Sequence, residues 1–403
     1  MRLEELGPRL RRLKALVEES PHILSIAAIF YFLPFIMPSL YWTRILSTAF
    51  VFALFAMAYD IALGFTGLPS FGHAAIFGMG AYALTWCLRA GLTLPLALLA
   101  SCAMGSALGA LMASFLKRVR EIYYAMVTLA LAEIIHMLMD KAVWLSGGFT
   151  GLRVPKPMGI SSEALFISYL AISFLAFFTC FFALLRKLKV ERSKSALAYL
   201  MAIGIVFLLF LALGPSLIWE ALYTSVYRLI FGMYFTSFTV LLASYIILRR
   251  VVNSAFGSVL VGIRENEERM EALGYDTAKY KIMAMIISGL FTGLAGGLLA
   301  LVSLMPITPS VLGAEYMIEV LLYSILGGLG TLVGPMLGAG IVVFLDMRLR
   351  PFFGAYWFLF TGTLIVLIML FLPYGIVGTL LIRRVSARRL FARLIRYVKK
   401  RRS

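Results

Sequence analysis

The sequence predicts an all-α, polytopic helical membrane protein with about 11–12 transmembrane segments. Three observations carry that expectation. Of the 403 residues, 62% are hydrophobic and only 14% are charged, where a soluble domain is about half apolar and a quarter charged. The apolar residues fall into runs long enough to cross a hydrocarbon core of about 30 Å, which takes about 20 residues of helix. Lys and Arg gather between these runs. Runs rich in Leu, Ala and Ile read as helices, because in lipid only helices and closed barrels satisfy their own backbone.

In chain order, residues 1–20 form a basic N-terminal segment in which Leu3, Leu6, Leu10, Leu13, Leu16 and Val17 recur at helical spacing. It is expected to lie on the inner membrane surface as a cytoplasmic helix. A polar lead of this length before a full-length apolar run predicts a retained first helix, not a cleaved signal. A single transmembrane domain follows over 21–382. Its candidate spans are about 23–41, 44–64, 70–88, 93–115, 122–144, 164–185, 196–218, 226–248, 282–304 and 356–381. A Gly-rich stretch at about 316–346 is either one broken span or two short ones. Residues 383–403 form a basic tail.

The net charge of +18 comes from clusters: Arg9, Arg11, Arg12 and Lys14, the KRVR at 117–120, the RKLKVERSK at 186–194, Arg249 with Arg250, and the tail. Basic loops stay on the cytoplasmic side. Alternating spans place all of these clusters inside, with both termini cytoplasmic, if the 316–346 stretch begins and ends outside. Arg348 and Arg350 are then an outside exception. The tail suits anionic membrane lipid, and no nucleic-acid partner is expected. Cys87, Cys102 and Cys180 all lie in apolar runs, where a free Cys behaves as a small hydrophobe.

Enzymatic signatures are missing. The chain has no G-x-x-x-x-G-K-[ST] phosphate loop and no H-E-x-x-H. Glu133 and His136 share a helical face, but with His22, His73 and His136 as the only histidines a full metal-ligand set is not expected. Tyr59-Asp60 is similar to one half of an intramembrane aspartyl protease, whose chemistry needs a second carboxylate; after Gly328-Leu329-Gly330 stands Thr331. Neither catalysis, a metal nor a cofactor bound by this chain is expected.

Two Gly/Pro-rich interruptions, LGFTGLPSFGHAAIFGMGAY at 63–82 and LGGLGTLVGPMLGAG at 326–340, lie far apart. Such broken segments point to repeat architecture and a central pathway, or to close helix packing; both readings stand. Between them, VGIRENEERMEALGYDTAKYK at 261–281 carries nine charged residues. A short helix is expected over 263–273, with Arg264–Glu268 and Glu265–Arg269 as favourable i,i+4 pairs and Glu267–Glu271 as an unfavourable one. Gly274 suits its end. Ile263, Met270 and Leu273 make a narrow apolar stripe. The segment is either a solvated loop or a lever that carries a partner's movement into the membrane.

IRENEERMEALGYDTAKYKIMAMIISGLFTGLAGGLLAL resembles the signature region of the branched-chain amino acid permeases of ABC importers, the LivM type. LGFTGLPSFGHAAIFGMGAY, YYAMVTLALAEIIHMLMD with GGFTGL, ILGGLGTLVGPMLGAGIVVFL and LPYGIVG are similar to its other segments, in the family's order, over roughly 45–160 and 230–380. The resemblance implies an inner-membrane permease subunit that moves branched-chain or other hydrophobic amino acids. It implies a second, homologous permease subunit, two ABC ATPase subunits that hold the ATP and Mg, and an extracytoplasmic substrate-binding protein. It also implies that the loop 253–281 couples to the ATPases through Arg264, Glu265, Asn266, Glu267, Glu268, Glu271, Ala272, Leu273 and Gly274. Glu268 and Gly274 fit the importers' E-A-A-x-x-x-G pattern, in which Arg269 and Met270 replace the alanines.

The pathway is expected along Asp60, Ser70, Phe71, Gly72, His73, Gly327, Gly328, Gly330 and Gly334. Asp60 stands where the family usually has Asn, and Leu68-Pro69 where it has Gln-Leu. An ionisable group at membrane depth is a functional candidate. The pair of spans within 164–220 reads as an insertion. Urea, short amides or another small solute remain open as cargo. So does an ion-coupled transporter using Asp60, Glu133 and Asp140.

Overall fold

The computed structural model describes residues 39–117, 121–155, 225–303, 305–356, 359–360, 362–363, 367 and 375–379. The expected N-terminal helix, most of the first span, the inserted pair at 164–220, most of 356–381 and the basic tail lie outside the described residues.

Eleven α-helices are described: α1 (Leu40–Asp60), α2 (His73–Arg89), α3 (Leu94–Ala113), α4 (Glu121–Lys141), α5 (Val143–Ser146), α6 (Ser225–Asn253), α7 (Ala255–Glu265), α8 (Glu267–Ala272), α9 (Thr277–Ser303), α10 (Ala314–Gly327) and α11 (Val333–Phe353). The described residues contain no strand, only an isolated antiparallel bridge between Leu152 and Ile307. Five of these helical stretches are long and apolar enough to cross a membrane: Leu40–Phe65, Leu94–Leu116, Tyr123–Lys141, Ile230–Asn253 and Thr277–Ser303. They match the expected spans near 44–64, 93–115, 122–144, 226–248 and 282–304.

Two elements differ from the sequence-based expectation, and at a third the structure decides between the alternatives left open. The span placed at 70–88 starts as a helix only at His73, after a loop; its 17 residues fall short of a full crossing. The 316–346 stretch is two helices, α10 of 14 residues and α11 of 21, joined by a tight turn at 328–332. The single helix placed at 263–273 is two, broken at Asn266, whose backbone is extended at φ −165° and ψ 103°. That break takes the expected Arg264–Glu268 and Glu265–Arg269 pairs off a continuous helix, whereas Glu267 and Glu271 stay together on α8. The Asn266 side chain instead accepts the Arg269 N–H at 2.8 Å and caps α8.

α1 and α9 form the spine, 89% and 78% buried over their apolar windows, whereas α4 is 28% buried at the edge. The two run antiparallel. Arg44 at the start of α1 donates to the Ser303 carbonyl at 2.9 Å, and Ser288 donates to the Ala58 carbonyl at 2.6 Å. Lipid tails provide no hydrophobic drive between helices, so close van der Waals contact must hold them. Glycine makes that contact here. Gly105 and Gly109 on α3 face Gly289 and Gly293 on α9, and a Cβ added at Gly293 would lie 2.7 Å from the Gly105 Cα. Gly80 on α2 also abuts Gly293, and Gly296 abuts the Phe77 carbonyl.

Aromatic rings fill the space between α1, α2 and α10. Phe55 stacks on Phe77 at 4.4 Å, and Phe52 lies 6.2 Å from Tyr316 and 5.7 Å from Tyr323. At the end where α1 begins and α11 finishes, the Arg348 guanidinium sits 4.7 Å above Trp42 and 5.6 Å above Tyr41. Cation–π contact thus accommodates one arginine of the outside exception. The Gly contacts give a testable outcome. Gly293→Leu should force α3 and α9 apart and destabilise the fold by about 1–3 kcal/mol. Gly340→Ala, with nothing within 4 Å of the new Cβ, should not lower stability, because alanine is the better helix former. Thermal unfolding of the purified protein in mild detergent compares the two.

Candidate coupling and pathway site

α1 ends in a π-helical turn at Ile61–Phe65, a form frequent at functional sites. The wider turn leaves the Ile61 carbonyl to the Thr66 hydroxyl, which donates to it at 2.8 Å. Immediately before the turn stands Asp60, with 0% exposure. A carboxylate cannot remain at this depth without partners, and two backbone groups supply them. Gly330 N–H donates to Oδ1 at 2.7 Å and Leu332 N–H to Oδ2 at 3.0 Å. Hydrogen bonds to a charged group contribute about 1.5–3 kcal/mol each. The acceptor also lies at the N-terminus of α11, where the helix dipole favours negative charge.

Both partners depend on an unusual backbone. Gly330 has φ +75°, and Leu332 has φ +55°, a left-handed value rare for a residue with a side chain. Such strain persists only where the surroundings over-determine it. Thr331 stabilises the same turn: its hydroxyl donates to the Gly328 carbonyl at 2.8 Å and accepts the Gly334 N–H at 3.0 Å. Gly64 lets the turn approach, since a Cβ there would occupy the place of the Asp60 carboxylate and the Gly330 nitrogen.

The cation nearest this cluster comes from the charged loop. Arg264 donates to the Gly64 carbonyl. Its side chain also passes over Gly67, and its Nη1 would lie 2.7 Å from a Cβ on Gly330. Its charge attracts the Asp60 carboxylate. Arg264, set by the resemblance among the residues that couple to an ATPase, therefore points into the bundle and is part-buried. Its position four residues after Leu260, which is fully buried, puts both on one helical face. That spacing was the available clue. For Leu332 and the π turn no local pattern existed.

α8 is clamped to its neighbours. Glu267 pairs with Lys281 on α9 at 2.6 Å, and that lysine is only 8% exposed. Glu271 accepts from Thr277 at 2.8 Å. Each of the two acids that the sequence sets as a repulsive pair thus has a partner of its own. The Met270 thioether lies against Gly262 on α7. Gly274 closes the element at φ +88°, a C-terminal role for which glycine carries no Cβ penalty. Ile263 is buried, whereas Leu273 is 68% exposed, and Glu265, Glu268, Arg269, Glu271, Ala272 and Tyr275 are also exposed. The apolar stripe is thus divided between the interior and the surface.

The remaining pathway candidates separate into two groups. Gly327 and Gly334 pack backbone to backbone, and Gly328 lies under Gly375, whose added Cβ would come within 2.5 Å of the Gly328 nitrogen. These belong to the Asp60 turn. Ser70, Phe71, Gly72 and His73 make contacts elsewhere. Phe71 N–H donates to Thr128 at 3.1 Å, and Gly72 lies against Met112. His73 is buried, with Nε2 2.8 Å from the Ser288 hydroxyl. That hydroxyl already donates to Ala58, so Nε2 must carry the proton and donate. The His73 ring meets Tyr59 edge-on at 4.9 Å.

Glu133 pairs with His136 at 3.6 Å and Asp140 with Lys141 at 3.5 Å, all on α4. These contacts do not lead to Asp60. The Asp60–Gly330 approach brings Tyr59-Asp60 beside the G-L-G-T turn, but the side chain presented there is the Thr331 cap.

The His73–Ser288–Ala58 chain predicts a measurable coupling. Ser288→Ala should strand the buried His73 Nε2–H, while the Ala58 carbonyl keeps the Ile61 N–H, and destabilise the protein by about 1–3 kcal/mol. His73→Ala together with Ser288→Ala should cost less than the sum of the single changes, as contacting residues do. Thermal unfolding of the three variants measures this.

The chain matches the family described as branched-chain amino acid transport system / permease component over residues 41–370. It is 26% identical over 332 residues to the high-affinity branched-chain amino acid transport system permease protein LivM of Salmonella typhimurium, covering 81% of this chain and 67% of that protein. Identity and coverage are the same for the LivM protein of Escherichia coli. The probable branched-chain amino acid transport permease protein LivH of Methanocaldococcus jannaschii is 29% identical over 158 residues, 37% of this chain and 48% of that protein. No solved structure matches. The matched region runs from the start of α1, through the Asp60 turn and the clamped α7–α8 unit, to beyond α11, and the chain belongs to the branched-chain amino acid transport system permease family, as a multi-pass membrane component of a transport system.

Proposed function

We propose that the chain is a permease subunit of an ATP-driven importer and translocates branched-chain or other hydrophobic amino acids handed over by an extracytoplasmic binding protein. The observation that carries this reading is α8. A six-residue helix, held by Lys281 and Thr277 on one membrane helix and by Gly262 on α7, presents an exposed charged face with Leu273 and Tyr275 at its edge. A solvated loop needs no such clamps. A lever pressed by a partner does. An ABC ATPase subunit would dock here, one of two that carry the ATP and Mg, and this chain would bind no cofactor itself. Glu268, Leu273 and Gly274 belong to the docking face; Arg264 belongs to the interior.

A second, homologous permease subunit would complete the pathway. Methanocaldococcus jannaschii has both a LivM and a LivH protein to which this chain is similar, which supports a pair of related chains. Glu133, 54% exposed on a sparsely buried span, suits a protein neighbour better than lipid, where a carboxylate is costly. The likeness to branched-chain amino acid transport permeases supports an amino acid over urea or a short amide. Basic clusters next to α6 and beyond α11 support cytoplasmic termini in an inner membrane.

Co-purification from native membranes tests the assembly. P-loop ATPases and a second permease should accompany the chain and be lost from Leu273→Glu and Glu268→Lys. Reconstituted with its partners, it should import leucine in an ATP-dependent manner and exclude urea. Solute movement by the chain alone, without ATP, would overturn the proposal.

A further inference from the structure

We propose that Asp60 and Arg264 form the joint that passes movement of α7 and α8 to the pathway, acting as positioning residues for transport; this rests on the importer reading above. The two charges meet through backbone and not through a direct ion pair. Arg264 donates to the Gly64 carbonyl inside the π turn. Asp60, one turn earlier, holds Gly330 and Leu332 at 2.7 and 3.0 Å. Gly64 and Gly330 touch each other between the two side chains. Three separate elements thus converge at one point: the end of α1, the turn between α10 and α11, and the last turn of α7.

The mechanical consequence follows from what is rigid and what is not. α8 is tied to α7 through Met270 and to α9 through Lys281, so a push on α8 moves the end of α7. Arg264 lies in that last turn, two residues before the break at Asn266. Its guanidinium grips a π turn, whose wider ring is a natural place for a helix to change register. Asp60 then compels the 328–332 turn to follow, because releasing it would leave a carboxylate alone in a water-free interior. That turn is already strained at Leu332, as expected of an element with two discrete arrangements. Asn at position 60 would still fill the space. It would offer an NH2 to one of the two N–H donors and carry no charge for Arg264.

The experiment compares wild type, Asp60→Asn and Arg264→Gln in the complex reconstituted with its ATPase and permease partners. It reads ATP hydrolysed per leucine imported. The joint predicts that both variants assemble and hydrolyse ATP, while ATP consumed per leucine rises about ten-fold. Import within about two-fold of wild type at an unchanged ratio would overturn it. Proportional loss of assembly, hydrolysis and import would also overturn it, since that marks a merely structural role. A second measurement needs neither partner nor solute. In thermal unfolding of the isolated chain, Asp60→Asn with Arg264→Gln should melt no lower than the worse single variant, because the residues act as one unit. Additive shifts would overturn the joint. Non-additive melting with no ATP-driven import by the wild type would instead fault the importer reading.

Discussion

The Asp60 carboxylate at the end of α1 sets the terms for the rest of the structure. A charge at 0% exposure in a helical membrane protein must find hydrogen-bond donors within the protein. It finds them in a turn about 270 residues further along the chain. The turn must therefore be narrow enough to aim two N–H groups at one carboxylate, which requires left-handed backbone at Gly330 and Leu332. α10 must end early to make room for it, and does so after 14 residues. Gly64 and Gly67 must lack side chains so that the turn and Arg264 can approach. A single buried charge thus accounts for a short helix, a strained residue and the bare backbone at Gly64.

The molecule is stiff and yielding in different places. α3, α9 and α2 cross through glycines at backbone contact, an arrangement that does not slide without clashes. The Asp60 turn is held by polar bonds across helix ends, and such bonds can exchange partners. The α7–α8 unit adjoins the yielding part and is clamped to the stiff part through Lys281 and Thr277. This arrangement suits a transport component. A scaffold that moved everywhere would waste a partner's push, and one that moved nowhere would not open.

Much of the fold was legible because lipid makes hydropathy nearly decisive. A run such as 44–64 has no alternative to a helix, and its structure is helical from Leu40 to Phe65. Gly274 was legible as a helix end because its requirement is local. The 263–273 segment was read as one helix, and the break at Asn266 escaped because Asn is compatible with a helix interior as well as with a cap. Only the neighbours decide, here the Arg269 N–H and the Glu267–Lys281 pair. The resemblance sets Arg264 among the coupling residues, while its place four residues after buried Leu260 turns it toward the bundle.

What the sequence alone determined was the helical membrane class, five of the crossing spans, the two Gly-rich breaks and the presence of a charged interruption, because each rests on composition or spacing within a short window. What only the tertiary structure decided was which of those pieces meet. Asp60 at position 60, Arg264 at 264 and the turn at 330–332 are remote along the chain, and no local pattern encodes their contact. Their meeting follows from antiparallel α1 and α9, the glycine crossings that set the helix spacing, and the cost of leaving a buried carboxylate without donors.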